Sequence, residues 1–110
     1  MDTRLDYPQV IKQVLLDYAN YYTQGGVKVK TLFDEAQQSY LLLSMGWSGD
    51  KYIHHAPIHL ELIADKIWIQ ADDTEEGVAT DLLEAGVPKE QIVLGFKPPE
   101  IRPYTEFAAT

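Results

Sequence analysis

The sequence predicts an α+β domain: an N-terminal helix, an antiparallel sheet of four to five strands, and a second helix after the fourth strand. Three observations predict it. Helical periodicity occurs near the N-terminus and again after Glu76, period-2 alternation fills the span between, and turn-forming residues punctuate that span at short intervals. A chain of 110 residues, 45% hydrophobic and 24% charged, suffices for one core and one domain, 1–110, without disulfides or a structural metal.

The first helix is expected from about Tyr7 to Tyr22, because Ile11, Val14, Leu15, Tyr18 and Tyr22 recur at helical spacing while Lys12, Gln13, Asp17 and Asn20 fall elsewhere. Asp6 and Gln9 make a capping-box arrangement around Pro8 in the first turn, and Gly25-Gly26 releases the last one. Val27, Val29 and Thr31 then alternate with Lys28 and Lys30 before Leu32-Phe33, a pattern suited to a half-buried edge strand. A turn from Asp34 to Gln38 leads into Tyr40 to Trp47, a more continuously apolar strand, and Ser48-Gly49-Asp50 reverses the chain.

Lys51 to Ile63 is a long extended run in which Ile58, Leu60 and Leu62 share one face, His59 and Glu61 the other, and Pro57 marks a bulge or break. Ala64-Asp65-Lys66 turns it into Ile67-Trp68-Ile69-Gln70-Ala71, its aromatic and β-branched antiparallel partner. Asp72 to Glu76 offers N-caps for the second helix, whose core face is expected to be Val78, Ala79, Leu82 and Leu83, with Gly86 as its stop. A turn-like piece from Val87 to Gln91 precedes Ile92-Val93-Leu94, a candidate fifth strand. The tail from Glu100 to Thr110 carries Tyr104 and Phe107 and is expected to dock on its own chain or a neighbour's.

A net charge of −8 repels phosphate backbones and anionic lipid, which disfavours autonomous DNA binding. The absence of cysteine removes thiolate nucleophiles and Cys-ligated zinc. No run approaches the roughly 18 apolar residues of a membrane span, and Asp2, Arg4 and Asp6 do not make a secretory leader, so the expected location is the cytoplasm. Glu76 to Leu94 superficially reads as a helix-turn-helix, yet Glu75, Glu76, Asp81, Glu84 and Glu90 face only Lys89 as a cation.

Strict alternation places His55 and His59 roughly 13 Å apart and His54 on the opposite face, so the three cannot chelate one ion. His59 with Glu61 is the one pair that could share a metal, given ligands from elsewhere. Ser44 and Ser48 lack the frame of a nucleophile elbow, and no glycine-rich loop precedes a helix. The expectation is therefore a non-catalytic protein with no catalytic, cofactor-binding or metal-binding residue. Lys28, Lys30 and Lys51 form one basic cluster, Lys97 and Arg102 a smaller one. Trp47, Tyr52, Trp68, Phe96 and Tyr104 read as core or rim aromatics, or as an interface, and the lack of helix to cover a second sheet face predicts a homo-oligomer.

Several segments together are similar to the XisI family across nearly the whole chain: Gly46-Trp47, His59-Leu60-Glu61, Lys66-Ile67-Trp68-Ile69-Gln70, Thr74-Glu75, Gly86 through Phe96, and Arg102 with Tyr104 through Ala108. The resemblance implies a cyanobacterial fdxN-element excision controlling factor, needed together with XisH when the XisF recombinase excises a DNA element interrupting nitrogen-fixation genes. It implies XisH-like and recombinase partners and makes Trp47, His59, Trp68, Phe96, Arg102 and Tyr104 the candidate interaction residues. Two departures stand out: Ala64-Asp65-Lys66 replaces the frequent Asp-Gly-Lys, and His54-His55 is an unusual pair. The rival readings are a DNA-binding accessory factor at the element borders and a metal-dependent enzyme using His59 and Glu61.

Overall fold

The computed structural model describes residues 5–22 and 26–110. The elements run α1 (Tyr7–Tyr22), β1 (Val27–Asp34), β2 (Ser39–Ser48), β3 (Lys51–Ile63), β4 (Lys66–Asp72), α2 (Val78–Glu84), a 3-10 turn (Lys89–Gln91), β5 (Ile92–Leu94) and a second 3-10 turn (Arg102–Tyr104). Helix α1 starts where the sequence places it, with the Gln9 N–H donating to Asp6 Oδ1 at 3.3 Å. Gly25, the expected release point, and the Tyr22 side chain lie outside the described residues.

The five strands lie in chain order, β1-β2-β3-β4-β5. Pairs β1 through β4 are antiparallel, whereas β5 pairs with β4 in parallel, so the sheet is mixed. The reason is the connection. A two-residue turn reverses a strand, but the segment carrying α2 crosses over and returns the chain in its former direction. The tail docks on its own chain through a parallel bridge between Ala108 and Val93.

Both helices cover one face of the sheet. Ile11 and Leu15 of α1 and Val78 and Leu82 of α2 are buried against Tyr40, Leu42, Ile58, Leu60, Leu62, Ile67, Ile69 and Ile92. Ala79 packs at the margin of this core, but Leu83, expected inside, is 37% exposed. Helix α2 has only seven residues, so its apolar stripe is narrower than four positions. Of the candidate caps, Asp72 does the work: Oδ2 accepts the Val78 N–H at 2.7 Å while Oδ1 accepts from the Thr74 N–H and hydroxyl. The Tyr18 hydroxyl of α1 donates to Asp81 Oδ2 of α2, which ties the helices together.

Burial pushes the Tyr40 phenol above the ordinary tyrosine value of 10.0, and the Glu35 carboxylate adds to the rise. The folded chain therefore holds this proton to higher pH than the unfolded chain. The stability involved is complete below the unfolded value and is lost as pH rises through the folded one. Urea denaturation from about pH 8 to about pH 11 is expected to show stability falling above about pH 10 more steeply in the wild type than in Tyr40→Phe. Equal slopes would contradict the assignment.

The β2–β3 ladder shifts register where Leu42 pairs with Ile58 and Ser44 with His55, beside Pro57. This bulge overturns strict alternation along β3. His54, opposite Met45, shares the face of His59, opposite Leu41, while His55 points to the helix side, 3.7 Å from Asp73. The β3–β4 turn puts both Ala64 (φ 52°) and Asp65 (φ 66°) in the left-handed region. Asp65 suits that conformation, whereas Ala64 occupies it at a cost of roughly 1–2 kcal/mol.

Candidate interaction face

The opposite face of the sheet has no helix on it. Its residues follow from the register: Lys28, Lys30, Leu32 and Asp34 from β1, and Ser39, Leu41, Leu43, Met45 and Trp47 from β2. Strand β3 adds Tyr52, His54, His59, Glu61 and Ile63, and β4 adds Lys66, Trp68 and Gln70. The centre is apolar. Leu32, Leu41, Leu43 and Met45 are neighbours on β1 and β2, and Leu32, Trp47, Tyr52 and Ile63 are 48%, 60%, 52% and 43% exposed.

Polar side chains at the far end are paired with one another. Ser39 Oγ lies 2.7 Å from His59 Nε2, and the Gln70 side-chain N–H donates to Glu61 Oε1 at 3.0 Å. His59 and Glu61 thus each engage a different partner, and the described residues contain no group of three His, Cys, Asp or Glu placed to hold one ion. Ser39 was the partner sequence reading missed. Its signal was a pairing register, which only the bulge and the turn lengths determine. At the other end Trp47 and Tyr52 pack with ring centroids 5.1 Å apart, and Tyr52 stacks on His54 at 6.2 Å.

The segment after β5 folds over the β4 side of this face. The Arg102 guanidinium lies over the Trp68 ring, 5.1 Å from its centroid, and donates to the Lys97 carbonyl (Nε, 3.0 Å) and the Gly95 carbonyl (Nη2, 3.3 Å). Gly95 permits this approach, since a Cβ there would stand 2.7 Å from Gln70 Oε1 and 3.1 Å from Trp68 Cε3. Of the six candidates, Trp47, His59 and Trp68 share the face, with Arg102 stacked on Trp68. Phe96 and Tyr104 sit on the covering segment, 45% and 87% exposed. The tail therefore docks through Arg102, Phe107 and Ala108 and not through Tyr104.

Arg102→Ala is expected to lose about 1–2 kcal/mol and to increase quenching of tryptophan fluorescence by acrylamide, because it removes a stacked cation and two backbone anchors at once. Arg102→Lys should recover little, since an ammonium cannot fork to both carbonyls while lying flat on the indole. Unchanged quenching in Arg102→Ala would mean the segment is held by Phe107 and Ala108 alone.

On the helix side, a cleft of about 480 Å³ opens between β1–β3 and the loop after β4, with Val29, Leu42, Ser44 and Ile58 as floor and Asp73 and Glu75 on the rim. No helix among the described residues is long and apolar enough to cross a membrane.

This is a two-layer α+β domain with helices on one side and a mixed-polarity aromatic sheet face on the other. Residues 1–109 match the XisI protein family. The chain belongs to that family. It is similar to a XisI-like protein from Anabaena variabilis ATCC 29413, with 32% identity, 94% of this chain and 96% of that one covered, and a TM-score of 0.88. It is also similar to the fdxN element excision controlling factor XisI from the same organism, with 33% identity, the same coverages and a TM-score of 0.80. No curated protein matches the chain.

Proposed function

We propose that this chain is a non-catalytic controlling factor of site-specific DNA excision that works in the cytoplasm through contacts with an XisH-like protein and a recombinase complex. The observation that carries the reading is the whole-length likeness to the Anabaena excision controlling factor. Charge supports protein partners over DNA. A −8 chain meets phosphate unfavourably, α2 carries Asp81 and Glu84, and the piece after it is a three-residue 3-10 turn with no length to enter a groove. Trp47, Phe96 and Tyr104 offer large exposed aromatic surface of the kind that anchors protein contacts.

The test is co-purification of the tagged full chain with an XisH-like protein and the recombinase, alongside a gel shift on the element borders. Retention of either protein supports the reading. Failure of both defeats it, and tight, salt-sensitive DNA binding by the chain alone transfers the role to the accessory-factor alternative.

A further inference from the structure

The helix-free face is partly self-complementary. Along β1, Lys28 and Lys30 stand at one end and Asp34 at the other; along β3, Tyr52 and His54 stand at one end and Glu61 and Ile63 at the other. Between them lie Leu41 and Leu43 on β2. We infer that two copies of this chain pair through this face, about a two-fold axis that lies parallel to the sheets and crosses the strands between the levels of Leu41 and Leu43. Such an axis sets every strand across from its own copy with direction reversed. Lys28 then faces Asp34 of the second copy, His54 faces Glu61, Tyr52 faces Ile63, and Leu43 faces Leu41.

Two further considerations select a second copy as the occupant. An isologous contact needs a patch that complements itself under the two-fold operation. This face does so where Lys28 meets Asp34, His54 meets Glu61, Tyr52 meets Ile63 and Leu43 meets Leu41, while Lys30 lies across from Leu32 and Met45 from Ser39. Area is the other. Strands about 4.8 Å apart and roughly 33 Å long give β1 to β3, the strands left open by the segment after β5, a plane of about 480 Å², and its corrugated accessible surface of about 600 Å² per partner stands at the low end of a standard interface. The face is also nearly balanced, with Lys28, Lys30 and Lys66 against Asp34 and Glu61, so two chains of net charge −8 meet there with little mutual repulsion. The product is an aligned sheet-on-sheet sandwich with helices outermost.

Sedimentation equilibrium on the full chain tests this. The wild type is expected to be a dimer at micromolar concentration, and Leu43→Asp a folded monomer by circular dichroism. Lys28→Glu lies at an exposed edge and should fold normally, yet it creates two like-charge contacts and should weaken the dimer roughly tenfold. The decisive variant is Lys28→Glu with Asp34→Lys, which exchanges the charges and should restore most of the lost affinity. Leu83→Asp, on the helix side, should leave the dimer intact. A monomeric wild type overturns the inference, as does a dimer that survives Leu43→Asp, or a double exchange no tighter than Lys28→Glu alone. A monomer that binds a 20-residue oligothymidylate through the same face would assign that face to single-stranded nucleic acid instead.

Discussion

Leu60→Ala is expected to lower the free energy of unfolding by about 2–5 kcal/mol, read as a fall in the urea midpoint with an unchanged slope. Leu60 is fully buried on β3, opposite Tyr40 of β2 and Ile69 of β4, in the cluster that includes Ile11 and Leu15 of α1. Its neighbours belong to three strands and a helix that hold one another in place, so the site cannot collapse around the missing atoms and a cavity term adds to the transfer term. Against a total stability of about 5–15 kcal/mol for a domain of this class, the loss is a large fraction. A change below about 1 kcal/mol would mean that the packing between β3 and α1 is loose.

Gly46→Ala should approach the same magnitude for a different reason. Gly46 has φ 136° and pairs with Val27, and a Cβ there would stand 2.2 Å from the Gly26 carbonyl oxygen and 3.1 Å from Val27 Cα. Both obstacles are backbone atoms, so no side-chain rotation relieves the overlap. Backbone strain costs about 1–3 kcal/mol and displacement of the start of β1 adds a comparable amount. Gly49→Ala is the control: its φ is 65° and nothing lies within 4 Å of the added atom. It isolates the cost of left-handed backbone, about 1–2 kcal/mol. Equal effects of the two substitutions on the urea midpoint would show that the contact with Gly26 yields freely.

Much of this architecture is legible in the sequence because local rules determine it. The periodicity of Ile11, Leu15 and Tyr18, the Asp6 cap, and the alternation of Val27, Val29 and Thr31 each announce an element without reference to distant residues. What escaped depends on long-range pairing. That β5 runs parallel follows from a crossover, whose outcome no property of Ile92-Val93-Leu94 encodes. The placement of His54 on the same face as His59 depends on where β3 carries its extra residue near Pro57, and the exposure of Leu83 depends on how short α2 becomes. The candidate residues Trp47, His59 and Trp68 were recognised one by one, but their common face emerges only after two register shifts are counted.

The crossover before β5 also concentrates an entropic burden. Strands β1 to β4 are joined by turns of a few residues each, so closing their hairpins forfeits little chain freedom. Seating β5 instead requires residues 73–91 to be gathered into a single loop, and three residues of pairing must help offset that restriction. Val78, Leu82 and Val87, buried along the way, and the Ala108 bridge on the far edge supply what the short ladder alone cannot.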